Sequence, residues 1–248
     1  MTTDPRARSF DAAAARYAAA RPSYPQTLLD AVESLTGRPL SGARVADIGA
    51  GTGLGTVLLD GRGARVVAVE PGDGMAAEFR RSLPSVPLVR GDGDRLPLAD
   101  ASFDLLTYAQ AWHWTDPSRS VPEALRVLRP GGALALWWND SDASVGWIAG
   151  QDARMRRFLG ADDSPYDPEV RFRRLPAGLH FGNRRLPWSR RVPMDVHLAN
   201  ISSYSDFLVR GETAVDAFLA CEREQLAACF PDGTVEERYV VSLSVAIR

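Results

Sequence analysis

From residue 44 to residue 138, short apolar runs alternate with stretches whose apolar residues recur at helical spacing, the pattern of a parallel sheet with crossover helices. "ARVADIG" reads as the first strand, "ARVVAVE" as the second, "VPLVRGD" as the third, "FDLLTYAQ" as the fourth and "GGALALWWN" as the fifth. Between the last two, "SRSVPEALRVLRPGG" predicts a helix stopped by Pro130 and capped by Gly131 or Gly132. Upstream, "FDAAAARYAAARPSYP" is helix-prone until Pro22 halts it, and "QTLLDAVESLTG" is an amphipathic helix ending at Gly37. Downstream, helices are expected near "WIAGQDARMRRFLG" and in "AVDAFLACEREQLAACF", the latter with Val215, Phe218, Leu219, Leu226 and Phe230 on one face. A sixth strand is placed in "RRVPMDVHL", and "ERYVVSLSVAIR" alternates like a half-buried seventh.

Together these elements predict an α/β fold: a doubly wound, mostly parallel seven-stranded sheet, Rossmann-like, with an N-terminal helical lid. The last two strands should form an antiparallel pair at its edge. The chain divides accordingly into a lid (1–40), a ligand-binding core (41–140), a cap or substrate-side insertion (141–190) and a C-terminal part completing the sheet (191–248).

The net charge of −2 argues against a dedicated nucleic-acid binder. No apolar run reaches the ~20 residues that span a bilayer, and "MTTDPRARSF" lacks a signal-peptide core, so a cytoplasmic location is expected and no membrane partner. All 29 basic residues are Arg, which excludes Lys-based Schiff-base chemistry. Cys221 and Cys229 lie eight apart in a helical stretch, about 12 Å along its axis and beyond disulfide reach. With no His or Cys cluster near them no metal site is expected, and both read as core residues. Nothing in the pattern fixes an oligomeric state.

"VADIGAGTG", residues 45 to 53, ends the first strand in a loop that admits close approach to its backbone. That position in a doubly wound sheet predicts a nucleotide-like ligand. The dinucleotide fingerprint G-x-G-x-x-G fails, because the sixth position is Leu54 counted from Gly49 and Thr56 counted from Gly51. A phosphate loop ending in GK[ST] is excluded by the absence of lysine. The chain instead resembles the class I S-adenosylmethionine-dependent methyltransferases, in particular their small-molecule, type 11-like branch. The resemblance rests on "VADIGAGTG", the acidic end of the second strand in "AVEPGDGM", the turn "RGDGDRLPLADASFD" and "LRPGG", in the family's order and spacing.

The resemblance implies S-adenosyl-L-methionine as cofactor. Gly49, Gly51 and Gly53 would then leave room for its methionine moiety, with Asp47 orienting the loop and meeting the ammonium group. Glu70 would accept the ribose hydroxyls, Asp92 the adenine amine, and the backbone of Gly93 and Asp94 would serve the ring nitrogens. Met75 would pack on the adenine face, and Ala50, Thr52, Pro71 and Gln110 complete the cofactor set. Asp94 is equally explicable as a turn residue. Tyr17 and Arg21, four apart on one helical face, belong to the lid; Arg21 either pairs with a carboxylate or is a surface arginine.

Methyl transfer from a sulfonium needs alignment, exclusion of water and, for some acceptors, a base. "YAQAWHWTD" follows the fourth strand, so His113 is either a general base or, with Trp114, a wall of the pocket. Trp112, Trp114, His197 and Tyr204 are the candidate acceptor-side residues. Residues 150 to 191 carry ten Arg against five acidic residues, which fits an anion-binding cap or simply a solvated surface. The function expected is methyl transfer to a small-molecule acceptor, including an oxygen or carboxylate of secondary metabolism. The alternative is an S-adenosylmethionine-binding protein that retains the fold without transferring a methyl group.

Overall fold

The computed structural model describes residues 18, 20–161 and 175–248. Tyr17, with residues 1–16 and 19 of the expected lid, lies outside the described residues. A seven-stranded sheet runs through the molecule in the order β3-β2-β1-β4-β5-β7-β6. Its strands are β1 (Arg44–Ile48), β2 (Arg65–Glu70), β3 (Leu88–Arg90), β4 (Phe103–Ala109), β5 (Leu128–Ser141), β6 (Phe181–Pro193) and β7 (Thr234–Ile247). Strands β1 to β5 pair in parallel, while β7 runs antiparallel to both β5 and β6.

Alternation along the strands divides the core between the two faces. Val45, Leu105, Ala133, Ala135 and Trp137 face one side, under α1 (Gln26–Thr36), α2 (Thr56–Gly61) and α3 (Asp73–Ser82). Ala46, Ile48, Leu106, Leu134, Leu136 and Trp138 face the other, under α4 (Pro117–Val127). Because both faces are covered, the central strands read as nearly unbroken apolar runs. A smaller cluster joins α6 (Met194–Ser202), α7 (Ser205–Leu208) and α8 (Glu212–Cys229) to Val235, with α5 (Gly146–Leu159) packed against it. Among the described residues no helix is long and apolar enough to cross a membrane.

Several local expectations need correcting. Helix α4 ends at Val127 rather than at Pro130, and no glycine caps it. A residue before proline disfavours the helical region, and Leu128 instead pairs with Phe103. The chain then bulges through Pro130 and Gly131 (φ +72°) before Ala133 rejoins Leu105. The sixth strand is Phe181–Pro193, so Met194, Val196 and His197 belong to a helix. Pro193 marks the change, ending the ladder as the residue before the first helical position. Because β6 crosses residue 190, a division of the chain there falls inside a strand. Strand β7 is buried on both faces, Ser242 and Ser244 included, because it lies between β5 and β6 rather than at the edge. Cys221 and Cys229 are exposed, not core. Helix α8 buries only Glu222 and Leu226 fully, with Val215, Phe218 and Leu219 partly covered, and the cysteines lie off that stripe.

Candidate active site

Strand order reverses at β1, which has β2 on one side and β4 on the other. The loops leaving their carboxyl ends must splay apart there, and a crevice opens between them. A cavity of about 710 Å³ occupies that position, within the usual ~300–1,000 Å³ of small-molecule sites. Gly49 and Gly51 after β1, Glu70 and Pro71 after β2, and Gln110, Ala111 and His113 after β4 line one half. The other half is walled by Ser141 of β5, by Gln151 and Met155 of α5, by Tyr204 and by Arg21.

The three loop glycines have different physical reasons. A Cβ on Gly49 would sit 2.6 Å from that of Ala111, so this glycine permits the loops after β1 and β4 to touch. One on Gly53 would come 2.7 Å from Leu83 Cδ1 and 3.1 Å from Phe79, so this glycine seats the loop on α3 and its C-terminus. Only Gly51 opens outward: its φ is +58°, and a Cβ there would meet no atom of the described residues within 4 Å. Ala50 and Thr52 are buried and do not line the cavity.

Asp47 is sealed beneath the loop and does not reach the cavity. Thr56 Oγ1 donates to its Oδ2 at 2.6 Å and Thr107 Oγ1 to its Oδ1 at 2.7 Å. Burial pushes its carboxyl up to about 6, against the pull of the two hydroxyls. Asp47 therefore ties β1 to β4 and to the start of α2 beneath the loop, and direct contact with an ammonium group does not fit its position. Glu70 does line the cavity. Its Oε2 accepts the Gly51 N–H at 2.8 Å and its Oε1 the Gly72 N–H at 2.7 Å, tying the first two loops together.

At the third loop, Asp92 and Gly93 line the cavity. Asp94 does not; its carboxylate accepts the Asp116 N–H at 2.9 Å, and its own N–H donates to Asp92 Oδ1 at 3.1 Å. Gly93 lies over the buried Tyr108, whose hydroxyl would be 3.4 Å from a Cβ there and has no hydrogen-bond partner among the described residues. Burial, reinforced by Asp94, Glu123 and Asp92, pushes that phenol upward and keeps it a donor. Met75 and Pro71 also line the cavity.

After β4, Gln110 adopts φ +58°, a left-handed conformation that a non-glycine residue holds only where its surroundings impose it. Its N–H donates to Trp137 O at 2.9 Å, and the turn delivers His113 and Trp114 to the cavity. Trp112 points the other way, into the core, with its ring edge-on to Tyr108 at 4.8 Å. Trp138 Nε1 donates to His113 Nδ1 at 3.3 Å. A ring nitrogen that accepts carries no proton, so the neutral imidazole holds its hydrogen on Nε2.

Arg21 stacks over the Tyr204 ring at 4.3 Å and donates to Ser203 O at 3.2 Å. His197 is buried behind the wall and does not line the cavity; α6 turns it toward Glu237 and Gln151. Sequence reasoning missed Ile148, Gln151, Asp152 and Met155 of α5, all of which line the cavity. Their i, i+3, i+4, i+7 spacing was a readable face of a helix already expected, but its mixed polarity matches no simple amphipathic stripe.

A model of the methyltransferase domain matches residues 46–136, the segment that builds the first half of this cavity. An uncharacterized methyltransferase-like protein of Schizosaccharomyces pombe is 31% identical over 206 residues, 80% of this chain and 78% of that protein. The chain belongs to the class I S-adenosylmethionine-dependent methyltransferases. An uncharacterized methyltransferase of Mycobacterium tuberculosis is 42% identical over 162 residues, covering 65% of this chain and 63% of the relative. The match thus spans less than two thirds of the mycobacterial protein's length. A solved structure from Anaeromyxobacter dehalogenans, named for a type II methyltransferase, has a TM-score of 0.70 and 26% identity, covering 92% of this chain and 97% of that one. The doubly wound sheet with its reversed β6–β7 edge is the methyltransferase fold.

The family's cofactor, S-adenosylmethionine, fits the residues present. Gly51 lines the cavity with open space where a Cβ would stand, Glu70 supplies a carboxylate at the end of β2, and beside Gly93 lies the Tyr108 hydroxyl, which has no hydrogen-bond partner among the described residues.

Proposed function

We propose that this methyltransferase acts on a small molecule held in the half of the cavity bounded by β5, α5, Tyr204 and Arg21. The observation that carries this reading is continuity. One cavity of about 710 Å³ joins the glycine loop and Glu70 to Gln151, Met155 and Tyr204, so two ligands can meet inside it. A demethylmenaquinone methyltransferase of Beutenbergia cavernae, 41% identical over 106 residues and 42% of this chain, supports a small-molecule acceptor. So does a malonyl-acyl-carrier-protein O-methyltransferase of Methylococcus capsulatus, 38% identical over 137 residues.

When bound, S-adenosylmethionine supplies an activated methyl group on a sulfonium. Glu70 holds the Gly51 and Gly72 loops and, with two lone pairs on each oxygen, can also accept ribose hydroxyls. Gly51 would let the methionine portion run close to the backbone, and Asp92 and Gly93, which also line the cavity, would meet the adenine end. His113 presents Nε2–H, a donor that orients an acceptor oxygen, because Trp138 occupies Nδ1. Trp114, Ile148 and Met155 line the same cavity and would exclude water from the reacting groups.

The test is a thermal-shift comparison of S-adenosylhomocysteine with NADH, followed by an acceptor panel read by S-adenosylhomocysteine release. Stabilisation by S-adenosylhomocysteine alone, with turnover of at least one small acceptor, is expected. Binding without turnover across the panel would favour a cofactor-binding protein that does not methylate.

A further inference from the structure

Behind the acceptor wall lies a chain of buried charged and polar groups that the reading above does not use. His197 (5% exposed), Glu237 (2%), Glu222 (1%) and Gln151 (5%) are all shielded from solvent. Arg154 donates to both oxygens of Glu222, through Nε to Oε1 and through Nη2 to Oε2 at 2.9 Å. Arg190 Nε donates to Glu237 Oε2. Burial pushes the Glu237 carboxyl upward, but bonds from His197 and Arg190 outweigh it and hold it below the ordinary carboxylate range. Both carboxylates are thus paired with arginine and act only as acceptors.

Those two fixed points determine every proton between them. Gln151 Nε2 donates to Glu222 Oε2 at 3.2 Å, which turns Gln151 Oε1 toward His197. His197 Nε2 lies 3.1 Å from that carbonyl oxygen, and an amide oxygen can only accept, so Nε2 carries a hydrogen. His197 Nδ1 lies 2.7 Å from Glu237 Oε1, again an acceptor, so Nδ1 carries one too. A neutral ring would set one nitrogen lone pair against an oxygen lone pair in a buried site. Among the described residues, the groups facing this ring are Glu237 of β7, with Arg190 of β6 behind it, and Gln151 and the edge-on Trp147 ring (5.6 Å) of α5. Beyond Gln151 stand Glu222 of α8 and Arg154 of α5.

We propose that His197 is a positioning residue: as an imidazolium clamped between Glu237 and Gln151, it fixes the Gln151 amide on the acceptor side of the cavity. With its oxygen facing His197 and one N–H committed to Glu222, Gln151 has a second N–H with which to meet an acceptor. The same Glu237 reaches the opposite wall. Arg190, which it pairs, donates to Ala20 O at 2.9 Å and Arg21 O at 3.4 Å, and Arg21 lines the cavity. One buried carboxylate therefore sets two walls of the site. That this side receives the acceptor rests on the methyl-transfer reading, but the relay can be tested without it.

The experiment is long-range nitrogen–proton correlation NMR on protein labelled with ¹⁵N-histidine at neutral pH, with His197→Phe assigning the ring. S-adenosylhomocysteine affinity by calorimetry is measured on the same samples. Wild-type His197 is expected to show two protected ring N–H protons. Gln151→Met should lose the Nε2 proton signal, keep the Nδ1 signal shielded by Glu237, and leave S-adenosylhomocysteine affinity within about threefold. His197→Phe, which keeps a ring of similar size, should expose the Gln151 side-chain amide to faster exchange. A single ring N–H in the wild type, or a Nε2 proton that survives Gln151→Met, overturns the proposal. Should His197→Phe fail to fold, wild type and Gln151→Met decide it alone, the remaining histidines being assigned through His113→Gln and His180→Gln. Failure of S-adenosylhomocysteine to bind the wild type would count against the cofactor reading and leave the ring signals unaffected.

Discussion

Gly51 and Asp47 stand four residues apart and carry opposite kinds of information about the site. Gly51 faces the cavity, so Gly51→Val should abolish S-adenosylhomocysteine binding in calorimetry. The left-handed backbone at this position should cost only ~1–2 kcal/mol of stability. Gly53→Val should behave differently, because its side chain would strike Leu83 and Phe79 rather than a ligand: the fold should weaken first. Asp47 faces inward. Its carboxyl is raised from 3.8 to about 6 in the folded protein, so the native state takes up a proton before the unfolded chain does. Its contribution to stability is therefore fully present below about pH 4 and lost as pH rises through about 6, a swing on the order of 3 kcal/mol. Urea unfolding at pH 4 and pH 7 should show wild type gaining on Asp47→Asn at the lower pH. A constant difference between the two proteins would mean that Asp47 does not titrate as its burial demands.

At the scale of elements, the turn after β4 decides what His113 does. Trp138 comes from β5 and reaches His113 only because β4 and β5 are neighbours with Ala109 opposite Trp137. Held with its proton on Nε2, the ring donates, and His113→Gln should keep kcat within about tenfold of wild type with a flat pH profile. Loss of ~10²–10⁴ with a rate that rises through the imidazole range would instead make His113 a general base. Removing the Trp138 donor with Trp138→Phe should free the other tautomer and introduce a pH dependence that the wild type lacks. The element that sequence reasoning misplaced was β6. Leu186, Trp188 and Val192 do alternate on one face, but the fourth member of that row is Arg190, half-buried and paired with Glu237. A period-two pattern was present, and its polar member concealed it.

Across the whole molecule, the loops after the parallel strands β1, β2 and β4 line one part of the cavity, and the antiparallel edge supports the wall that carries Gln151 and Arg21. S-adenosylhomocysteine at 100 times its Kd should raise unfolding free energy by ~2.7 kcal/mol. Glu70→Ala should remove ~1–3 kcal/mol of binding through lost hydrogen bonds to the ribose. Both follow if the cavity binds through the loops of β1 and β2. A thermal shift that survived Glu70→Ala undiminished would place the ligand elsewhere.

The sequence by itself determined the five parallel strands, the helices α1, α5 and α8, and the loop motifs, because these rest on local periodicity and on residues close together in the chain. Glu70, Met75, Asp92, Gly93 and His113 reach the cavity as their motif positions imply. Tertiary structure alone decided which motif residues face inward. Asp47, Ala50, Thr52, Asp94 and Trp112 adjoin cavity-lining residues in sequence yet do not line the cavity themselves. It also decided the partners of the histidines, since Trp138 lies 25 residues from His113, and Gln151 and Glu237 lie 46 and 40 residues from His197. The physical reason is the same in each case. A strand or helix period fixes which side of an element a residue takes, but only packing of distant elements determines what waits on that side.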